Sequence, residues 1–211
     1  YRFNTEKEYE KNGAKQMPRV GVFYLVFNDD RAFCFCFAEN GGSLLIIGSG
    51  ATKLFEKELG VSITDTVKQK RVFIGDKYDY CSFGELSDIN EVKVLTAVAA
   101  ENAFLNSDFS DIHTALTVNG LGKGKIAGIY FDIGQQYING RTAGACDFVK
   151  HTVSKLLQKP ELTVTGSRNV EVALRRNCGK KEVVLLNCSG PHSDPNTFTY
   201  DELLPICNIT V

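Results

Sequence analysis

At 211 residues and 23.3 kDa, the chain has room for one large domain or two small ones. Hydrophobic residues make up 43% and charged residues 23%, which excludes the low-hydrophobicity, high-charge composition of a disordered chain. With 24 basic against 25 acidic residues the formal net charge is −1, so no one-signed field selects nucleic acid or an anionic membrane surface as a partner.

No apolar run approaches the about 20 residues of a membrane helix, and no secretory leader pattern is visible. The chain opens on Tyr1 rather than Met, so an N-terminus that has been processed or cut is expected. Seven cysteines are scattered along it, at 34, 36, 81, 146, 178, 188 and 207. Without paired CxxC spacing they do not read as a zinc site. Most sit in apolar runs, where a free thiol behaves as a small hydrophobe. Reduced core thiols, and hence a cytoplasmic location, are the expectation. Asn187-Cys188-Ser189 and Asn208-Ile209-Thr210 fit a glycosylation sequon, a pattern too short to carry weight.

In chain order, the run VGVFYLVF at 20–27 predicts a buried strand. Asn28-Asp29-Asp30 supplies an N-cap for a helix over 31–39, which Asn40-Gly41-Gly42 ends. Residues 43–47 read as a second buried strand, Gly48-Ser49-Gly50 as a turn, and 51–59 as a helix stopped by Gly60. This alternation predicts a parallel sheet covered by helices. Further strands are expected at 70–75 and at 92–100, where 91–96 alternates with period two. Residues 115–118 and 125–131 read as strands of a hairpin joined through the Gly-rich stretch 119–124.

Residues 142–157 predict an amphipathic helix, with Ala145, Phe148, Val149, Val153, Leu156 and Leu157 on one face, and Pro160 prevents its continuation. Beyond it, short alternating segments at 170–174 and 182–186 around a turn at 177–180 predict a small antiparallel β-unit. The domain division is therefore 1–160, an α/β domain, and 161–211, a β-domain of about 50 residues that must pack on a neighbour to be stable.

Four segments together resemble a known family. Glu39-Asn40-Gly41-Gly42 running into Ser43-Leu44-Leu45-Ile46-Ile47-Gly48 is similar to the helix-to-strand step of class I glutamine amidotransferase-like domains. In particular it resembles the degenerate versions, called trimerisation domains, of β-galactosidase-like and other glycoside hydrolases. The following segment 51–60, the step Gly122-Lys123-Gly124-Lys125 into a strand, and the β-rich tail at 170–174 and 183–190 agree with that likeness.

The resemblance covers about 20–211. It implies a flavodoxin-like parallel sheet flanked by helices, followed by the small antiparallel β-domain. It also implies the C-terminal part of a longer glycosidase-like protein, because a (β/α) barrel alone takes about 250 residues. The implied partners are an N-terminal catalytic barrel of the same parent chain and further copies of the chain, a homo-oligomer joined through apolar surface of the α/β domain.

A working amidotransferase needs a Cys nucleophile on a strand-to-helix elbow and a His to take its proton. The place of that elbow is Gly48-Ser49-Gly50, which carries Ser49 instead of Cys; of the three histidines, His113 and His192 are the candidate partners, and His151 falls in the long helix. Glycoside hydrolysis needs two facing carboxylates. Glu39, Asp76, Asp79, Glu85, Asp88 and Asp132 cannot be paired by spacing. Asp132 follows a strand end, where ligands sit in α/β sheets, and with Gln135, Gln136 and Tyr137 it would line a polar cleft.

There is no Trp for sugar stacking, but Tyr78, Tyr80 and Phe83 cluster in sequence and would contact a sugar or a partner. The segment 120–125 lacks the G-x-x-x-x-G-K-[ST] spacing and the following helix of a phosphate loop, so it reads as a hairpin. No HExxH and no ligand-spaced His/Cys cluster occurs, so neither metal nor cofactor is expected.

The expected function is a non-catalytic accessory or oligomerisation region of a glycoside hydrolase-like protein that helps form its carbohydrate cleft. No catalytic residue is expected in that role; for a hydrolase the candidate nucleophile is Ser49 or one of the cysteines, and Tyr78, Tyr80, Asp132 and Tyr137 are the candidate carbohydrate contacts. The alternatives are a stand-alone sugar-binding module and a divergent amidotransferase-like hydrolase.

Overall fold

The computed structural model describes residues 20–22, 29–69, 71–74, 87–106, 108–140, 143–157, 159–189 and 203–211. The described residues up to 157 form one compact unit and those from 159 onward a second.

The first unit is built on a six-stranded sheet. Its strands are β1 (Val20–Val22), β2 (Ser43–Ile47), β4 (Phe73–Ile74), β6 (Ala99–Phe104), β7 (Ile112–Leu121) and β8 (Gly124–Ile129), in the order β1-β2-β8-β7-β6-β4. β1, β2 and β8 are parallel. From β8 onward every pairing is antiparallel. The sheet is therefore mixed. The parallel order expected of a flavodoxin-like fold is found only in the β1-β2-β8 half, because the tight β7–β8 hairpin reverses the chain where a parallel sheet needs a crossover. Two further strands, β3 (Val61–Gln69) and β5 (Ser87–Val94), form a separate antiparallel ribbon.

The alternation in β2 sorts two hydrophobic clusters onto opposite faces. Leu44 and Ile46 face Cys34, Phe37 and Ala38 of α1 (Asp29–Glu39), together with Phe55, Leu59, Ile126 and Tyr130. Leu45 packs with Ala127, Ile129, Leu116 and Val118, and with Ala145, Phe148 and Leu156 of α5 (Ala143–Leu156). The three strand residues are fully buried, worth about 1.5–3 kcal/mol each. The expected helix and strand on either side of Asn40 are both present. Between them Gly41, at φ 102, donates to Ala38 O and Gly42 donates to Phe37 O, the Schellman pair of bonds that ends a helix.

The segment 51–59 is not one helix. It divides into α2 (Ser49–Thr52), a 3-10 turn (Lys53–Phe55) and α3 (Glu56–Leu59), which directs Thr52, Phe55 and Leu59 inward. The expected strand at 92–100 is also interrupted. β5 ends at Val94, the amides of Leu95 and Thr96 donate to Gly60 O, and β6 begins at Ala99 to pair with β7. Period-two patterning continues across that break because both strands are half-buried. β3 carries polar Thr64, Asp65, Thr66 and Lys68 and has no clean alternation to announce it.

Helix α5 agrees with its expected range to within a residue at each end. Thr152 joins its buried face, its hydroxyl bonding back to Phe148 O at 2.9 Å. On its other side, His151 Nε2 and Lys155 Nζ lie 2.7 and 2.9 Å from Glu101 Oε1 of β6. Burial disfavours the charged Glu101 carboxyl, but the hydrogen bonds and charges of Lys155 and His151 outweigh it and hold the carboxyl below its ordinary 4.5. A group depressed in the folded state stabilises above its ordinary value and loses that contribution as pH falls through the folded value. Glu101→Gln is therefore expected to cost about 1 kcal/mol at neutral pH. Urea titrations of the two proteins at falling pH should show the difference shrink below pH 4.5.

In the second unit, β9 (Val170–Asn177) and β10 (Lys180–Asn187) form a hairpin closed by Cys178 and Gly179, both at positive φ (48 and 80), as a type I′ turn requires. Thr165 and Thr210 exchange backbone bonds of 2.9 and 3.0 Å. None of the described residues of this unit is buried. The expected core thiols reduce to Cys34. Cys36, Cys146, Cys178 and Cys207 are exposed, Cys188 is half-buried, none of the six is joined in a disulfide, and Cys81 lies outside the described residues. Exposure follows from position, Cys178 being at a hairpin tip and Cys146 on the outer face of α5.

Candidate functional site

The C-terminal ends of β2 and β8 adjoin, since Gly48 N donates to Ile129 O at 3.0 Å. Gly48 (φ 104, ψ 150) turns the chain into α2, which starts at Ser49, so the strand–turn–helix order of an elbow is present. The Ser49 carbonyl and the α2 turn are held from below by Asn90 of β5. Asn90 Nδ2 donates to Ser49 O at 2.7 Å and to Thr52 Oγ1 at 2.8 Å, and Thr52 Oγ1 donates to Gly48 O at 3.0 Å. Thr66 Oγ1 of β3 donates to Asn90 Oδ1 at 2.9 Å, and Asn90 N donates to Tyr130 O at 3.0 Å.

Asn90 and Thr52 are fully buried. This network thus joins the ribbon, the turn after β2 and the end of β8, away from water. Below it the Tyr130 hydroxyl is bonded to Thr117, and burial pushes the phenol up to about 12. Sequence reasoning passed over Asn90. Its signal was a carboxamide two and four residues before Val92 and Val94, on the same face of the strand.

Ser49 is half-buried, and among the described residues its hydroxyl meets no base. His113 is engaged elsewhere. Its Nε2 lies 3.0 Å from Asp111 Oδ1 and its Nδ1 3.7 Å from Glu91 Oε1, so it bridges β7 to the ribbon. The two carboxylates address opposite ring nitrogens and do not converge on one point. His151 meets Glu101, and His192 lies outside the described residues. Among the described residues no group of three or more His, Cys, Asp or Glu is placed to hold a metal ion.

The segment after β8 is a helix, α4 (Ile133–Gly140). Asp132 is exposed and caps it, Oδ1 accepting from Gln135 N at 3.1 Å. Tyr137 lies on α4, 42% exposed. Tyr78, Tyr80 and Phe83 lie outside the described residues, as do Asp76, Asp79 and Glu85. Asp132→Ala is expected to lower stability by about 1 kcal/mol, the usual worth of an N-cap. Thermal unfolding of the variant reads this, and an unchanged midpoint would remove the capping role.

The Gly-rich hairpin turn spends its amides on the protein. Lys123 N donates to Glu39 O (3.2 Å) and Lys125 N to Gly42 O (3.4 Å), while Lys125 Nζ reaches Lys155 O at 3.1 Å. These bonds place 122–125 directly against the end of α1, so two of the segments that carry the family resemblance meet in space.

No family model and no curated protein matches the chain. Solved structures do. A catalytic mutant of Gan42B, a GH42 β-galactosidase from G. stearothermophilus, matches with TM-score 0.52 and 20% identity over 80% of this chain and 26% of that one. The cold-adapted β-galactosidase of a Rahnella species matches with TM-score 0.55 and 20% identity over 81% of this chain and 27% of that one. At such identity the likeness is one of fold. The chain has the fold of a region that makes up about a quarter of these β-galactosidase chains.

Proposed function

We propose that the chain is a non-catalytic accessory region of a glycoside hydrolase-like protein, assembling or buttressing a catalytic barrel and supplying part of the wall of its carbohydrate cleft. The observation that carries the reading is the fold correspondence over about four-fifths of this chain with a quarter of two β-galactosidases. The site geometry supports it. Ser49 occupies the elbow without a base among the described residues, and the interactions around it are those of a structural turn. In this reading β1, β2 and β8, with helices on both faces, are the remnant of an amidotransferase-like sheet, and homo-oligomerisation through the α/β unit belongs to the longer polypeptide with its barrel, not to this region alone. The six described cysteines, none of them in a disulfide, fit a reducing cytoplasm.

An antibody raised against this chain tests the proposal in the source cells. A band far above 23.3 kDa is expected, and the polypeptide it marks should hydrolyse chromogenic galactosides, losing activity when this region is deleted. A native band at 23.3 kDa, or full activity after deletion, would overturn it.

A further inference from the structure

The second unit contains a hairpin, β9–β10, with an outer edge on β9. In β9–β10 the paired residues of the tight turn, Asn177 and Lys180, fix which positions bond within the hairpin, and the bond from Cys188 N to Asn169 O confirms the phase. The backbone groups of Val170, Val172, Leu174 and Arg176 therefore point outward from β9. Among the described residues no strand pairs with that edge. It has no proline, and its row of apolar side chains is exposed, with Val172 at 37% and Leu174 at 36%. Natural sheets usually block such an edge. On the opposite face, Glu171 and Arg175 are exposed, and among the described residues neither side chain has a hydrogen-bond or ion-pair partner.

We propose that β9 pairs antiparallel with β9 of a second copy of the chain about a two-fold axis through Ala173. Outward-bonding positions must meet outward-bonding positions, which restricts the register to steps of two residues. Centring on Ala173 sets Val172 against Leu174 of the second copy, and Glu171 against Arg175, each pair occurring twice by symmetry. Opposite charges directly across an antiparallel pair stabilise it, and like charges oppose it. The apolar positions Val172, Leu174, Val183 and Leu185 of the two hairpins then form one continuous face. The same construction on β10 brings no acid opposite a base, since Lys181 would face Asn187 and Glu182 would face Leu186. The charges thus select β9. The paired hairpins make a four-stranded sheet, above the size at which a β-unit becomes stable by itself. This pairing does not depend on the glycosidase reading.

Sedimentation equilibrium of the 211-residue chain over a concentration series tests it. The weight-average mass is expected to rise from 23.3 kDa towards twice that value and to stop there. Glu171→Arg and Arg175→Glu should each hold the mass at the monomer, and the double exchange should restore the dimer. Leu174→Pro removes only an outward amide and should also abolish pairing while the circular dichroism spectrum is retained. It covers the case in which Arg175→Glu, opposite Glu182, fails to fold. Ala173→Cys should give a disulfide-linked dimer beyond the background of the unaltered chain, since the non-bonded pair brings Cα atoms to about 4.5 Å. A mass fixed at the monomer, association indifferent to these substitutions, or open-ended growth would each overturn the pairing.

Discussion

Gly124→Ala is expected to cost roughly 3 kcal/mol of folding stability, read as a fall in the urea midpoint at unchanged slope. A Cβ at this position would stand 1.8 Å from Gly42 O and 2.6 Å from Ala38 O. Both are backbone atoms of the α1–β2 turn, so no side chain can swing away. The strand or the turn has to move, and with it the fully buried Leu44, Leu45 and Ile46 of β2. Gly120, in the same Gly-rich stretch, is the internal control, because a Cβ there meets nothing within 4 Å. Gly120→Ala should change stability by no more than about 0.5 kcal/mol. Equal costs at the two positions would refute the close approach.

Asn90→Ala should be as damaging, at about 3 kcal/mol. The carboxamide serves Ser49 O, Thr52 Oγ1 and Thr66 Oγ1 at 2.7–2.9 Å in a fully buried site. Its loss strands polar partners without water to replace it, and each stranded group costs about 1–3 kcal/mol. Thr66→Val removes one arm and should cost about 1 kcal/mol. In the double variant the two losses should fall short of additive, because the partners are shared. Additive losses would show that the network does not act as a unit. The result bears on function, because an Asn90 that holds the Ser49 turn for structural reasons supports the accessory reading over a hydrolase. Under that reading Ser49→Ala leaves the galactosidase activity of the longer polypeptide unchanged.

The elements legible in the sequence are those whose signal is local. β2 is a run of apolar residues between glycine turns, and it forms at the expected residues. α1 shows its Asn-Asp-Asp start and its Asn40-Gly41-Gly42 stop, α5 shows its i, i+3 and i+4 stripe, and the β7–β8 and β9–β10 hairpins announce themselves by glycine turns. Each follows from backbone conformation and side-chain period over fewer than about 15 residues, which composition records directly. The candidate site was less legible. Ser49 is at a strand-to-helix turn as read. Asp132 caps a helix, a role the sequence reading did not give it, because a carboxylate at a strand end also accepts a bond from the first turn of a following helix.

What the sequence determined by itself is therefore a mixed α/β chain with two helix-covered strands, a glycine hairpin and a terminal β-unit. Only the tertiary structure decided that β8 of that hairpin lies parallel against β2 in one sheet with β7, β6 and β4, that 61–69 pairs with 87–94 across a gap in sequence, and that Asn90 joins three elements. Strand direction and partner choice are set by which apolar faces close over one another at long range. The value of a buried carboxamide depends on acceptors that are distant in the chain. Neither leaves a mark on the local period. The glycines show this most plainly: the sequence announces a turn at 122–124, and only the fold reveals that the turn must also admit the backbone of the helix end at Ala38 and Gly42.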